Sequence, residues 1–181
     1  MPQDPESVRA LLHRHAPDVP VRQLRLMPHY GWGGESDAWL VDGRWIFLFP
    51  RTDESARALA IQVCLLPKFA LRLPLAIPNF RYRVHDDGGA CRLAGYEMIP
   101  GEPLRGETLT ALPPAVQARL AEQLGGFLTA LHNAPIQPAL DCGVAPPRPD
   151  LPAHWQGVYA RIREGVFPAL AEDERHWVAR R

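Results

Sequence analysis

The feature that most constrains the fold is a pair of apolar segments joined by Asp42-Gly43. One segment runs from Ala38 to Val41 and the other from Arg44 to Phe49. An Asp-Gly pair favours a two-residue hairpin turn because both central positions need a positive φ. Side chains alternate along a strand, so the aromatic residues of the second segment share one face. The pattern therefore predicts an antiparallel hairpin with one face in a core.

Two helical patterns and a second hairpin accompany these strands. Asp4 and Pro5 predict a helix start, with Asp4 as the N-cap and an apolar face behind it. A strand is expected over 21–27. A further helix is expected over 55–66, ended by Pro67. Alternation on either side of a turn at 86–89 predicts another strand pair.

After the irregular segment Pro100 to Leu104, the sequence patterns predict helices and no further strands. Apolar residues at helical spacing predict an amphipathic helix from Pro114 to His132. Residues 136–152 are rich in proline and are expected to form a loop, and two more helices are expected around 155–162 and from 171 onward. We therefore predict an α+β fold with a sheet domain (1–99), a linker (100–104) and a partial helical domain (105–181).

Composition narrows the possible partners. The chain has 181 residues and equal numbers of basic and acidic side chains, 20 of each, so neither nucleic acid nor an anionic membrane is expected as a partner. It also contains no apolar run long enough to cross a bilayer. The three cysteines, Cys64, Cys91 and Cys142, are widely spaced. That number and spacing favour reduced thiols in a cytoplasmic protein.

Four motifs in a fixed order carry a family resemblance: "VDGRWIFLFPR", "LPLAIPNF", "GYEMIPGEPL" and "LGGFLTALH". Together they resemble the aminoglycoside phosphotransferase family of the protein-kinase-like fold, over roughly Leu24 to Trp177. The resemblance implies a kinase-like N-lobe, an antiparallel sheet with one inserted helix, followed by a helical C-lobe. It also implies a small-molecule kinase that uses ATP and Mg²⁺.

The resemblance assigns the nucleotide to the groove between the lobes. Glycines in the turn before the hairpin lack Cβ atoms, so backbone N–H groups there can approach phosphate oxygens. A merely flexible strand turn is the alternative for this glycine cluster. The adenine would lie against the linker, near Glu97 to Ile99. The residues implied are Gly31, Trp32, Gly33, Gly34 and Ser36 in the turn, and Glu97, Met98 and Ile99 beside the linker.

Two family positions are degenerate. Leu48 stands where the family places the Lys or Arg that contacts the α- and β-phosphates. A charge-assisted bond to phosphate contributes about 1.5–3 kcal/mol, so its loss should weaken ATP binding roughly ten- to a hundredfold. Gln62 stands where a helix glutamate would pair with that cation. Three basic residues could replace the missing cation: Arg44, Arg51 and Lys68.

The phosphoryl-transfer machinery is missing from the sequence given. The family needs an H-x-D-x-x-x-x-N loop and a later metal-binding aspartate. The chain has two asparagines, Asn79 and Asn133, and neither has an aspartate five residues before it, as this loop requires. We therefore assign no catalytic residue and no metal ligand. The first hypothesis is therefore the N-terminal portion of a phosphotransferase, truncated before the catalytic loop and not competent for transfer.

A second hypothesis comes from a different class. The chain would be a complete, non-catalytic kinase-like module that binds a nucleotide, metabolite or protein in its groove. Half a helical lobe would leave apolar helix faces uncovered, and such faces usually find a partner. A homo-oligomer, or a partner that covers the helical lobe, is therefore expected. A decayed gene without a selected function is the third possibility.

Overall fold

The structure is a computed structural model, and it describes residues 4–28, 35–146 and 150–171. The chain divides into two compact units, Met1–Val144 and Ala145–Arg181. The sheet and its covering helices belong to the first unit. The second unit contains a helix and a short 3-10 helix. The glycine turn at 31–34 lies outside the described residues.

The sheet has five strands, and every adjacent pair is antiparallel. The strands are β1 (Leu24–Leu26), β2 (Ser36–Val41), β3 (Trp45–Pro50), β4 (Phe80–His85) and β5 (Cys91–Glu97), arranged in the order β1-β2-β3-β5-β4. Both predicted hairpins are confirmed. Asp42 and Gly43 adopt φ values of 50° and 67°, as a two-residue turn requires.

The predicted first strand is shorter than expected. Within the segment 21–27, the strand covers Leu24–Leu26, which pair with β2, and the N–H of Met27 adds one bond to the carbonyl of Ala38. Before it, Val21 is buried in the core and the next two N–H groups, those of Arg22 and Gln23, donate to the carboxylate of Asp42. These backbone groups are therefore held by the turn rather than by a strand ladder.

One face of the sheet packs against the first helix, α1 (Pro5–His15). Asp4 caps this helix, because its carboxylate accepts the N–H groups of Glu6 and Ser7. The prediction that the aromatic residues of β3 share a buried face is confirmed. The largest members of this core cluster are Leu12, Trp39, Trp45, Phe47, Phe49, Tyr82 and Leu93.

The other face is partly covered by the inserted helix, α2 (Asp53–Phe69). Thr52 begins it with a capping box closed by Ser55. The cluster beneath α2 is formed by Leu59 and Val63 of the helix itself and by Phe80, Cys91 and Ala94 of the sheet. The prediction that the helix ends before Pro67 is wrong. A proline in the last turn loses a single N–H bond, and the helix closes when Ala70 donates to the carbonyl of Leu66.

Further helices follow the sheet. They are α3 (Gly106–Ala111), α4 (Pro114–His132), α5 (Gln137–Asp141) and α6 (Leu151–Gly165), with a 3-10 helix at Phe167–Ala169. The bounds of α4 are those predicted. The loop predicted over 136–152 is wrong in part, because α5 forms inside it. Pro138 is tolerated there since a first-turn N–H has no partner within the helix. The helix expected from 171 onward lies almost wholly outside the described residues.

The prediction of three reduced cysteines is wrong for two of them. Cys64 of α2 and Cys142, just after α5, form a disulfide with their Cα atoms 5.7 Å apart. Packing of α5 against α2 brings together residues that lie 78 positions apart in sequence. The spacing of Cys64 and Cys142 along the chain does not indicate that the two residues lie close together. Cys91 is a free, buried thiol.

Candidate functional site

The candidate site is a pocket of about 410 Å³ beside the end of β5. Its wall comes from β3, β5, the residue that follows β1 and the segment that follows the sheet, and most of its side chains are apolar. The lining residues are Met27, Ile46, Tyr96, Met98, Ile99, Pro100, Gly101, Glu102 and Pro103. An apolar pocket with few polar groups is the usual form of a small-molecule site.

Pairing between β3 and β5 builds the pocket. Ile46 and Tyr96 lie opposite each other on the two strands. The chain stays beside β3 for one residue beyond β5, because the N–H of Met98 donates to the carbonyl of Arg44 at 2.7 Å. The chain then leaves the sheet at Pro100. Met98 and Ile99 are therefore held at the pocket.

Glu97 has a different environment. It is the cross-strand partner of Trp45, and its carboxylate accepts the Nε–H of Arg44 at 2.9 Å. The side chain is 59% exposed, and Glu97 does not line the pocket. At this position the side chain anchors the end of β5. Any contact with a ligand would come from the backbone.

Tyr96 is a lining residue that sequence reasoning missed. Its ring meets Phe80 edge-on, with centroids 5.4 Å apart. Burial raises the pKa of its hydroxyl, so the group is a neutral donor and acceptor at neutral pH. Alternation along β5 could have placed Tyr96 on the Ile46 face, because the two residues pair directly. The contribution of Met27 had no local signal, since it depends on how β1 is placed.

Leu48 lies on the same strand and face as Ile46, two residues further along β3. It pairs with Ala38 of β2 and Ala94 of β5, and it packs against the cluster beneath α2. Leu48 is half-buried in a wholly apolar setting. Gln62 is exposed on α2, whose buried side is formed by residues such as Leu59 and Val63. Neither position carries a charge.

The three cations that could replace the missing one are held elsewhere. The guanidinium of Arg44 is bound to Glu97, near the hairpin turn. Arg51 binds the carboxylate of Asp37, which is 1% exposed, with Nη2 at 2.6 Å. Lys68 is exposed in the last turn of α2. None of these contacts directs a cation toward Leu48.

The rest of the predicted turn site is only partly visible. Ser36 is the first residue of β2, half-buried and paired with Pro50. Gly31, Trp32, Gly33 and Gly34 lie outside the described residues. In the described part of the chain, no group of three or more His, Cys, Asp or Glu side chains could hold a metal ion. No helix there has the length and apolar character that spanning a membrane requires.

The arrangement suits a flat, largely apolar ring system. Such a ring could enter between the strand side chains and the segment after β5, where backbone groups can fix its orientation. Next to Ile46 on this face of the sheet lie Leu48 and its cross-strand partners Ala38 and Ala94. Any part of a ligand that extended beyond the ring would meet these apolar side chains. Leu48, on the same sheet face, supplies no cation for an anionic group.

Solved structures with a similar fold include aminoglycoside and macrolide phosphotransferases. The GDP and kanamycin complex of an aminoglycoside phosphotransferase matches with a TM-score of 0.72 and 26% identity, over 95% of this chain and 56% of that chain. The GDP complex of wild-type aminoglycoside 2'-phosphotransferase-IIIa matches at 0.75 and 25%, over 98% and 57%. A macrolide 2'-phosphotransferase from Brachybacterium faecium gives 0.63 and 23%, over 96% and 58%.

This chain thus spans somewhat more than half the length of those structures. Comparison with the curated proteins gave no match. The sequence profile of the phosphotransferase enzyme family (APH) matches residues 29–181. That match agrees with the four motifs, the five-stranded sheet and its inserted helix. The chain therefore belongs to the phosphotransferase enzyme family and has its kinase-like α+β fold.

Proposed function

We propose that this chain is the nucleotide-binding portion of a small-molecule phosphotransferase. The observation that carries the proposal is the apolar pocket beside Met98 and Ile99, in a chain whose family transfers phosphoryl groups. Relatives have been solved with GDP, ADP and ATP. A purine nucleotide is therefore the expected ligand, with ATP as the first choice and GTP as the second.

The phosphate end of the site fits its ligand poorly. Leu48 offers no hydrogen-bond donor where the phosphates would lie, and Gln62 offers no charge. The described residues contain no group of three or more His, Cys, Asp or Glu side chains that could hold a metal ion. We therefore propose that the sequence given binds nucleotide weakly and does not transfer a phosphoryl group by itself. We assign no catalytic step to it.

The acceptor would be a hydroxylated small molecule. Solved relatives carry kanamycin, gentamicin or streptomycin, and others are macrolide phosphotransferases. About four-tenths of the length of those relatives has no counterpart in this chain. We propose that this remainder supplies the acceptor site and the catalytic loop, and that the protein works in the cytoplasm, where nucleoside triphosphates are found.

Nucleotide titration tests the proposal. ATP, GTP and adenosine would each be titrated into the protein by calorimetry. Binding of a purine nucleotide, even a weak one, is expected. Ile99→Glu would place a carboxylate in the apolar pocket and should weaken binding at least tenfold. Leu104→Glu is the matched control, because Leu104 is also exposed and does not line the pocket. Equal binding by both variants would contradict the proposed site.

A second candidate function rests on α4. Four apolar side chains on this helix are 36–55% exposed: Val116, Leu124, Leu128 and Leu131. Exposed apolar surface of this kind usually contacts a partner. The alternative is thus a non-catalytic module whose α4 is covered by another polypeptide surface, with a second copy of the chain tested first. Sedimentation as a clean monomer at micromolar concentration would count against self-association.

A further inference from the structure

The bond between Cys64 and Cys142 joins two parts of the chain that lie on either side of the pocket segment in sequence. Cys64 belongs to α2, which packs on β3, β4 and β5. Cys142 follows α5, which comes after α3 and α4. The chain between the two cysteines passes through β5 and the pocket residues 98–103. The bond therefore closes a covalent ring that includes one wall of the pocket.

Non-covalent contacts hold the helices after the pocket only loosely. None of α3, α4 and α5 contains a buried residue. By contrast, α2 buries Leu59, Val63 and three other residues. Segments with few buried apolar side chains open at low free-energy cost. The disulfide is thus a strong constraint on an otherwise weakly anchored α5.

The two bonded cysteines also differ from the third. Cys64 and Cys142 are each half-buried, so they are more exposed to a small thiol reagent than Cys91 is. Cys91 is fully buried, and burial raises the pKa of its thiol, which makes it a poor nucleophile at neutral pH. Thiol exchange in this protein is therefore directed to one pair. In a reducing compartment, an accessible pair of this kind is open except under oxidising conditions.

We propose that Cys64 and Cys142 form a reversible redox pair that fastens α5 to α2 when oxidised and releases it when reduced. The oxidant is a low-molecular-weight disulfide such as oxidised glutathione. One cysteine thiolate attacks it and releases one small thiol, which leaves a mixed disulfide. The second cysteine thiolate then displaces the other small thiol. The two cysteines lose two electrons and two protons, and the two released thiols gain them.

Release would affect the pocket through the chain that connects it to α5. With the bond closed, the chain between Cys64 and Cys142 is held at both of its ends. With the bond open, residues 98–105 are the covalent connection between the sheet and α3, α4 and α5, and α5 keeps only its packing against α2. We expect faster local opening of α5 and of this segment, and no change in α1 or in β2 and β3. This inference does not depend on nucleotide binding.

Hydrogen exchange in glutathione buffers of graded oxidation tests the proposal. The full chain is equilibrated in each buffer. Alkylation of free thiols, followed by mass spectrometry, gives the fraction of protein with the bond closed. The mass increase of peptides in deuterated buffer gives the rate of amide exchange. Reduction should speed exchange in α5 at least tenfold and leave α1 unchanged. Cys64→Ser and Cys142→Ser should each show the reduced pattern in every buffer. Cys91→Ala is the matched control and should respond as the unsubstituted chain does.

Two results would overturn the inference. In the first, the bond stays closed in a buffer of almost entirely reduced glutathione, so that it is a permanent structural link. In the second, α5 exchanges at the same rate in the bonded and open states, so that the bond does not fasten it. If a serine variant fails to fold, reversible reduction of the unsubstituted chain still decides between these outcomes.

Discussion

The Cβ atom that Gly95 lacks would lie 2.3 Å from Cε1 of Phe47. Gly95 and Phe47 are direct cross-strand partners in β5 and β3. The ring of Phe47 lies over the backbone of β5 and contacts Tyr82 with centroids 5.4 Å apart. The ring of Phe47 can therefore occupy its position only because residue 95 has no side chain.

Gly95→Ala should destabilise the protein by about 1–3 kcal/mol, because the added methyl group forces Phe47 out of its position. Chemical denaturation measures the change. Combining it with Phe47→Leu should recover part of the loss, since the smaller side chain makes room. Gly125→Ala in α4 is the control. A Cβ there meets nothing within 4 Å, and the substitution should be neutral or stabilise by up to about 1 kcal/mol.

Leu48→Arg together with Gln62→Glu should tighten binding of ATP or GTP by roughly ten- to a hundredfold, because a guanidinium can donate to phosphate. Binding of adenosine should not change, since it has no phosphate. Leu48→Arg alone should cost stability, because it places a charge against the apolar cluster of Leu59 and Val63. Leu48→Met is the neutral control. An equal gain for adenosine would contradict this explanation.

Arg51→Ala should destabilise the protein by about 3 kcal/mol, because it leaves the nearly fully buried carboxylate of Asp37 without the guanidinium that binds it at 2.6 Å. Thermal and denaturant unfolding of the two single variants and of Arg51→Ala with Asp37→Ala would give the coupling. We expect the double variant to be less destabilised than the sum of the singles. Strict additivity would show that the two side chains do not depend on each other.

Asp86 should contribute stability that is lost in acid. Its side chain accepts hydrogen bonds from Arg92 and from the N–H of Ala90, and the bond from Arg92 is the main cause of a pKa below the usual 3.8. A lowered folded pKa stabilises the fold above pH 3.8, and this is lost as pH falls through the folded pKa. Asp86→Asn should therefore lower Tm at neutral pH and matter less in acid.

The neighbouring Asp87→Asn is the control for this prediction. Asp87 lies in the same turn and is exposed, so its replacement should change Tm little at any pH. Tm would be measured for both variants and the unsubstituted chain from neutral pH down to about pH 3, where carboxylates titrate. A constant difference between Asp86→Asn and the unsubstituted chain across this range would exclude the proposed ionisation.

Local patterns predicted the parts of the fold that depend on local physics. Two apolar segments joined by an Asp-Gly turn specify the hairpin of β2 and β3, and helical spacing over 114–132 specifies α4. Two-residue periodicity also placed Leu48 on the face opposite the aromatic core. These features depend on neighbours within a few residues, so the sequence alone contains enough information to assign them.

Other parts depend on tertiary contact and had no local signal. Cys64 and Cys142 approach each other only because α5 packs on α2, and no spacing rule reports that. Met27, just after β1, and Tyr96 of β5 line the same pocket. The length of β1 was misjudged because Asp42 takes the N–H groups that a longer strand would have used. Such features follow from the assembled sheet rather than from any one segment.

The contacts of Asp42 also bear on the order in which the sheet forms. Its carboxylate accepts the N–H groups of Arg22 and Gln23, and its own N–H donates to the carbonyl of Gln23. These bonds need Asp42 already in its turn conformation, which exists only once the hairpin has closed. Residues 22–26 leave the ribosome before that hairpin does. The edge strand is thus synthesised first, and we expect it to dock last.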